Sequence, residues 1–106
     1  METHNHHKKI GVAAYEFIGT TLIMYAVMVT FGNVPVYVYG AMMMLAWNVS
    51  GGHFNPAITL GVYISQMKLG KDAAIALIMI VAQFAGALFG VLFGYLALFD
   101  NAWATE

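Results

Sequence analysis

Two long apolar stretches limit what this chain can fold into. Residues 10–31 form one, about 22 residues interrupted by a single charge, Glu16, and residues 73–99 form the other with no charge at all. At about 1.5 Å rise per residue, a helix of either length crosses the roughly 30 Å hydrocarbon core of a bilayer. Gly32, Asn33 and Pro35 supply turn chemistry after the first stretch, and a third, shorter apolar run follows at residues 34–49, containing Met42-Met43-Met44. Ser50-Gly51-Gly52-His53-Phe54 is too rich in glycine to start a stable helix. The segment after it, residues 56–66, reads as a helix of roughly 11 residues, well short of the roughly 20 needed to span. Such a segment is expected to enter half-way and return. Lys68, Gly70, Lys71 and Asp72 then break the apolar pattern before the last span.

The expected fold is therefore an all-α membrane protein with three transmembrane helices and one re-entrant half-helix. A polar N-terminal tail occupies residues 1–9 and a C-terminal tail residues 100–106. Between them the membrane unit, residues 10–99, has spans near 10–31, 34–49 and 73–99, with a re-entrant loop and half-helix at 50–66. With 61% hydrophobic and 8% charged residues, the chain carries more apolar surface than a soluble domain of this size hides in one core. The apolar stretch after Lys9 is too long for a signal-peptide core and has no good cleavage site near its start, so it is expected to be a retained span.

Charge placement gives the orientation. Lys8 and Lys9 precede the first span and Lys68 and Lys71 the last, while no lysine lies between Gly32 and Pro35 or after Phe99. With three spans and one re-entrant loop all four fall on one side, expected to be cytoplasmic or its organellar equivalent; a full crossing at residues 56–66 would split the pairs. Arginine is absent and the net charge is only −1, which leaves no basic patch for a nucleic acid. Cysteine is absent too, removing disulfides, thiolate metal sites and cysteine nucleophiles while leaving the redox compartment open.

The chemistry concentrates in the loop. Asn55 is a good N-cap residue, and Pro56 suits the first helical position because its missing N–H would have had no intrahelical partner there. A helix starting inside a membrane points unpaired N–H groups and a positive dipole end at mid-membrane, so water-filled space is implied beside Asn55. Gly51, Gly52 and His53 run non-helically before it and leave carbonyls free to accept hydrogen bonds from passing molecules. Pore-lining roles therefore fall to Gly51, Gly52, His53 and Asn55.

From Ser50 to Gly61, Ser-Gly-Gly-His-Phe-Asn-Pro-Ala-Ile-Thr-Leu-Gly resembles the first signature loop of the major intrinsic proteins, the aquaporins and glycerol facilitators, with Asn55-Pro56-Ala57 as its Asn-Pro-Ala motif. Tyr15-Glu16-Phe17-Ile18-Gly19-Thr20 is similar to the family's first-helix Ala-Glu-Phe pattern, and Ala82-Gln83-Phe84-Ala85-Gly86-Ala87 to its third-helix Ala-Gln-x-x-Gly-Ala. The resemblance covers most of residues 13–94 and implies a half-aquaporin repeat. The family chain is about twice this length, with the unit repeated in inverted orientation around a second Asn-Pro-Ala. That repeat and the filter arginine after it have no counterpart here. The aromatic filter position of the second helix falls at Pro35, near Tyr37 or Tyr39.

Other polar groups divide into support and packing. An ionised carboxylate is expensive inside a span, so Glu16 is expected to accept hydrogen bonds from backbone N–H groups of residues 50–54, as the resemblance also implies. Gln83 is expected to pin the loop or a neighbouring helix, Asn48 to end the second span, and Thr20 to satisfy its own i−4 carbonyl. Gly86, Gly90 and Gly94 recur every fourth residue and give a smooth helix-packing face, on which a second half-channel is expected to pack in part. The eight methionines read as lipid-facing or gap-filling, and His4, His6 and His7 as a solvated tail, so no metal site and no cofactor are expected. No Ser/His/Asp set, carboxylate pair or phosphate-cradling loop stands out to carry an enzyme.

These observations lead to a passive channel unit for water or a small neutral solute such as glycerol. It needs a complementary half-channel, either a separate chain or a C-terminal half of the same gene product, and a lipid bilayer; a higher oligomer is expected. The competing readings are a non-conducting structural subunit of a larger membrane assembly and a fragment of a full-length channel.

Overall fold

The computed structural model describes residues 2–67, 70 and 72–104; Lys68 and Lys71, half of the orientation argument, lie outside them. Four helices follow in order: α1 (Glu2–Val29), α2 (Val34–Ala46), α3 (Pro56–Ser65) and α4 (Ala73–Ala104). Two of them, over His6–Val29 and Ala73–Phe99, are long and apolar enough to cross a membrane.

Both long helices outrun the expected spans. α1 begins at Glu2, where a tail was expected, and α4 runs to Ala104 rather than stopping at Phe99. Neither flanking segment contains glycine or proline, so nothing in the local backbone stops the helix. α2 is shorter than its expected 34–49, but its path tightens rather than stops. The Ala46 carbonyl accepts from the N–H groups of Val49, Ser50 and Gly51 at 2.9, 2.9 and 3.2 Å, and Asn48 lies in this turn, exposed. α3 ends at Ser65, one residue before the expected limit.

Contacts between the elements fix their directions. A Cβ added at Gly86 would meet Phe17, at Gly90 Thr21, and at Gly94 Met28, so α1 and α4 run parallel. α2 returns beside α1: Val49 reaches Gly11, and Ile23 packs with Met42. The chain then doubles back, Phe54 lying against Gly19, and α3 heads toward the end where Lys8, Gln66 and Asp72 border one cavity. Asn55 thus sits level with the middle of α1.

Beside a small apolar core at Ile23, Met42, Ala46 and Phe54, polar side chains occupy the interior. The largest fully buried side chains are Gln83, Glu16 and Thr59, whereas Leu77, Val81, Phe84, Leu88, Leu92 and Tyr95 form an exposed stripe along α4. Water would not tolerate that stripe; lipid would. The glycine face that was expected to receive a second half is covered by α1 of the same chain. The seam needs glycine, since a Cβ at Gly86 or Gly90 would stand 2.5 Å from the carbonyl oxygen of Phe17 or Thr21.

Candidate functional site

Asn55 builds the start of α3. Its backbone is extended (φ −154°, ψ 123°) and its side-chain Oδ1 accepts from the Ala57 N–H at 2.8 Å, while Pro56 takes the first helical turn. With the oxygen engaged, the NH2 group of Asn55 is left as a donor with no partner among the described residues, and Asn55 itself is exposed.

Glu16 holds the loop from the opposite side. Its Oε1 accepts from the Ser50 hydroxyl at 2.7 Å and the His53 N–H at 3.0 Å, and its Oε2 accepts from the Phe54 N–H at 2.7 Å and the Gln83 amide at 2.8 Å. The residue is fully buried, so each bond replaces one that water would otherwise supply. Gln83 also donates to the Thr59 hydroxyl at 2.9 Å, and Thr59 lies 3.0 Å from His53 Nδ1. Glu16 and Gln83 therefore meet at one point although 67 residues separate them.

This anchoring holds a loop of unfavourable backbone. Gly51 and Gly52 have φ of 86° and 65°, and Phe54 has φ of 54°, a region that costs a bulky residue energy. Phe54 is kept there by its bond to Glu16 and by the notch at Gly19, where even a methyl group would collide with its ring. The ring also meets Tyr39 edge-on at 5.9 Å.

The carbonyls of Gly51 and Gly52 accept no hydrogen bond among the described residues. The His53 carbonyl differs from expectation: the Tyr39 hydroxyl donates to it at 2.5 Å, taking one of its two lone pairs. Tyr39 is thereby committed to the loop, while Tyr37 is 72% exposed. Thr20 also departs from the sequence reading. Its hydroxyl is buried without a partner among the described residues, and it is Thr21 that bonds its i−4 carbonyl, at 2.7 Å to Phe17. A cavity of about 350 Å³ opens beside the loop, bordered by Lys8, Val12, Gly51, His53, Thr59, Tyr63, Gln66 and Asp72.

Ser50, Thr59 and Gly19 are partners that the sequence reading quoted only within motifs, and Tyr39, named there beside the aromatic filter position, was not expected on the loop. Thr59 was the most accessible of them, since it lies four residues after Asn55 and one helical turn places both on one face. Gly19 and Tyr39 carry no such local signal. Of the histidines expected to be solvated, His6 and His7 are exposed, and the His4 side chain lies outside the described residues.

The family model described as major intrinsic protein matches residues 3–103. Aquaporin PIP2-1 of Arabidopsis thaliana is 38% identical over 58 residues, which make up 55% of this chain and 18% of the relative's length. The match thus spans less than a fifth of that relative. No solved structure gives a significant match.

Proposed function

Because this chain belongs to the major intrinsic protein family, we propose that it forms one wall of a passive transmembrane channel for water or a small neutral solute such as glycerol. The observation that carries the reading is Asn55 at the head of α3. Its side-chain oxygen is spent on the cap, its NH2 has no partner among the described residues, and two carbonyls that accept no hydrogen bond there precede it, Gly51 at the cavity and the more buried Gly52. A molecule moving past such a wall exchanges water partners for carbonyl acceptors and then for an amide donor. The positive end of α3 opposes cations at the same point. Similarity to a protein named an aquaporin makes water the first permeant to test.

The wall is one-sided. Asn55, Ala57, Ile58 and Leu60 are exposed, and polar backbone at membrane depth is tolerated only where protein or a water-filled cavity covers it. A complementary half, from a separate chain or from further sequence of the same gene product, completes the pore within a higher oligomer in the bilayer. It packs over the loop rather than on the glycine seam, which α1 fills. The charge pattern of the sequence, which in a three-span unit would put Lys8, Lys9, Lys68 and Lys71 on one side, disfavours the same chain as its own inverted partner.

The test is water flux through the native assembly reconstituted in liposomes, with Asn55→Asp beside wild type. The substitution keeps the cap but puts a negative charge where the donor stood. Expected is a several-fold fall in water flux or a new cation leak. Unchanged flux with unchanged ion exclusion removes Asn55 from the mechanism, and absence of flux in the wild-type assembly favours a structural subunit.

A further inference from the structure

We propose that the imidazole of His53 is a specificity-determining group of the pore. It is fixed in the tautomer that carries its proton on Nε2 and presents that N–H to the permeating molecule, with Thr59, Gln83 and Glu16 as its positioning residues. The encounter with a permeant rests on the channel reading above, whereas the tautomer follows from hydrogen-bond directions alone.

The directions start at Glu16. Its other partners are all donors, the Ser50 hydroxyl and the N–H groups of His53 and Phe54. The Gln83 group 2.8 Å from Oε2 is then the amide NH2, because the flipped amide would set oxygen against oxygen. The second hydrogen of that NH2 goes to Thr59 Oγ1 at 2.9 Å, which makes Thr59 the acceptor there. Thr59 is only 2% exposed, so its single hydroxyl proton needs an acceptor inside the protein. The carbonyl one turn back, on Asn55, takes the Thr59 N–H at 3.1 Å and no bond from its hydroxyl. The remaining acceptor is His53 Nδ1 at 3.0 Å. A ring nitrogen that accepts carries no proton, so in the neutral imidazole the proton sits on Nε2.

Nε2 lies beside Gly51, 3.4 Å from where a Cβ on that residue would stand, at the wall of the 350 Å³ cavity. No protein group among the described residues engages it. Ring and main chain are both referenced to one carboxylate, the ring through Thr59 and Gln83 and the His53 N–H directly. The loop then carries donor, acceptors, donor: His53 Nε2 and the Gly51 carbonyl at the cavity, then the more buried Gly52 carbonyl and the exposed Asn55 amide. A permeant must accept, donate and accept again, which suits water or a small hydroxyl-bearing solute. Ammonium, which can only donate, meets an opposing N–H at the first step.

The test is nitrogen NMR of the full chain in lipid bilayers, with His4→Asn, His6→Asn and His7→Asn leaving one imidazole. It is run at about pH 8, above the ordinary imidazole value of roughly 6.5. The expected spectrum has a protonated-type resonance at Nε2 and an unprotonated one at Nδ1. Thr59→Val should turn this into a tautomer mixture and lower water flux several-fold, and Thr59→Ser should restore both. A proton on Nδ1 without the substitution at Thr59 overturns the inference, even if Thr59→Val fails to fold. So does a Thr59→Val spectrum with the tautomer unchanged, or a tautomer shift with flux and ammonium exclusion unaltered. A wild-type assembly that does not conduct fails the channel reading and the role at the permeant, while the spectrum still decides the tautomer.

Discussion

Helix α1 is held on two seams that work by different physics. Toward the loop, Glu16 closes the seam with hydrogen bonds whose directions are fixed, and Gly19 admits the Phe54 ring. Toward α4, beyond the single Glu16–Gln83 hydrogen bond that the two seams share, Phe17, Thr21 and Met28 close it by contact against Gly86, Gly90 and Gly94. Lipid tails are as apolar as leucine, so burying one hydrophobic face against another gains little in a membrane; hydrogen bonds and close packing remain. The first seam sets where each donor points, the second how near two backbones come. The proposed pore wall lies on the first, where direction matters.

Removing Glu16 is the strongest way to break the comparison. Glu16→Ala leaves the Ser50 hydroxyl, two backbone N–H groups and one Gln83 hydrogen without their acceptor. Each such group costs about 1–3 kcal/mol, and the sum is less than additive. The expected loss is about 3–5 kcal/mol, several such unpaired donors reduced by that non-additivity, read from unfolding in mixed detergent and denaturing surfactant. Membrane insertion should change little, and Glu16→Gln should be milder because one carbonyl oxygen survives. Equal stability of wild type and Glu16→Ala would show that the loop holds itself.

The contact seam is next in size. Gly86→Ala and Gly90→Ala each place a methyl group against backbone carbonyl oxygen, and overpacking of this kind costs about 1–3 kcal/mol. Gly94→Ala meets side-chain atoms only, those of Met28 and Val29 on α1, and should cost less. The same unfolding measurement ranks the three. If Gly94→Ala proves the worst, backbone approach is not what limits the seam.

The sequence made the long helices and the half-helix legible because length, charge spacing and Asn-Pro each have a local physical meaning. Glu16 and Gln83 could be suspected for a similar reason, since polar groups inside spans need partners. What could not be read was which group satisfies which. Thr20 and Thr21 look alike in sequence, yet Thr21 bonds its own helix while the Thr20 hydroxyl is left buried against α4. The glycine face was identifiable as a packing surface, but its occupant was not, because every fourth-residue glycine fits any close helix. Tyr39 capturing the His53 carbonyl depends on how α2 lies against the loop, a tertiary fact without local signature.

The smallest effect is the most discriminating. Thr20 and Thr59 are both buried, at 5% and 2% exposure, and Thr→Val is nearly the same change of shape at each. At Thr59 the hydroxyl bridges Gln83 and His53, so Thr59→Val strands both partners and should cost about 1–3 kcal/mol. At Thr20 the hydroxyl has no partner among the described residues, so Thr20→Val removes an unpaired polar group and should be neutral or stabilising by up to about 1 kcal/mol. Opposite signs for one chemical change would locate the stabilising force in hydrogen bonds rather than in side-chain shape. A loss at Thr20 equal to that at Thr59 would mean that its hydroxyl is satisfied after all, for instance by a buried water shared with the unpaired Gln83 oxygen. Hydrogen bonding would then extend into the contact seam beyond the Glu16–Gln83 pair, and the division between the two faces of α1 would have to be redrawn.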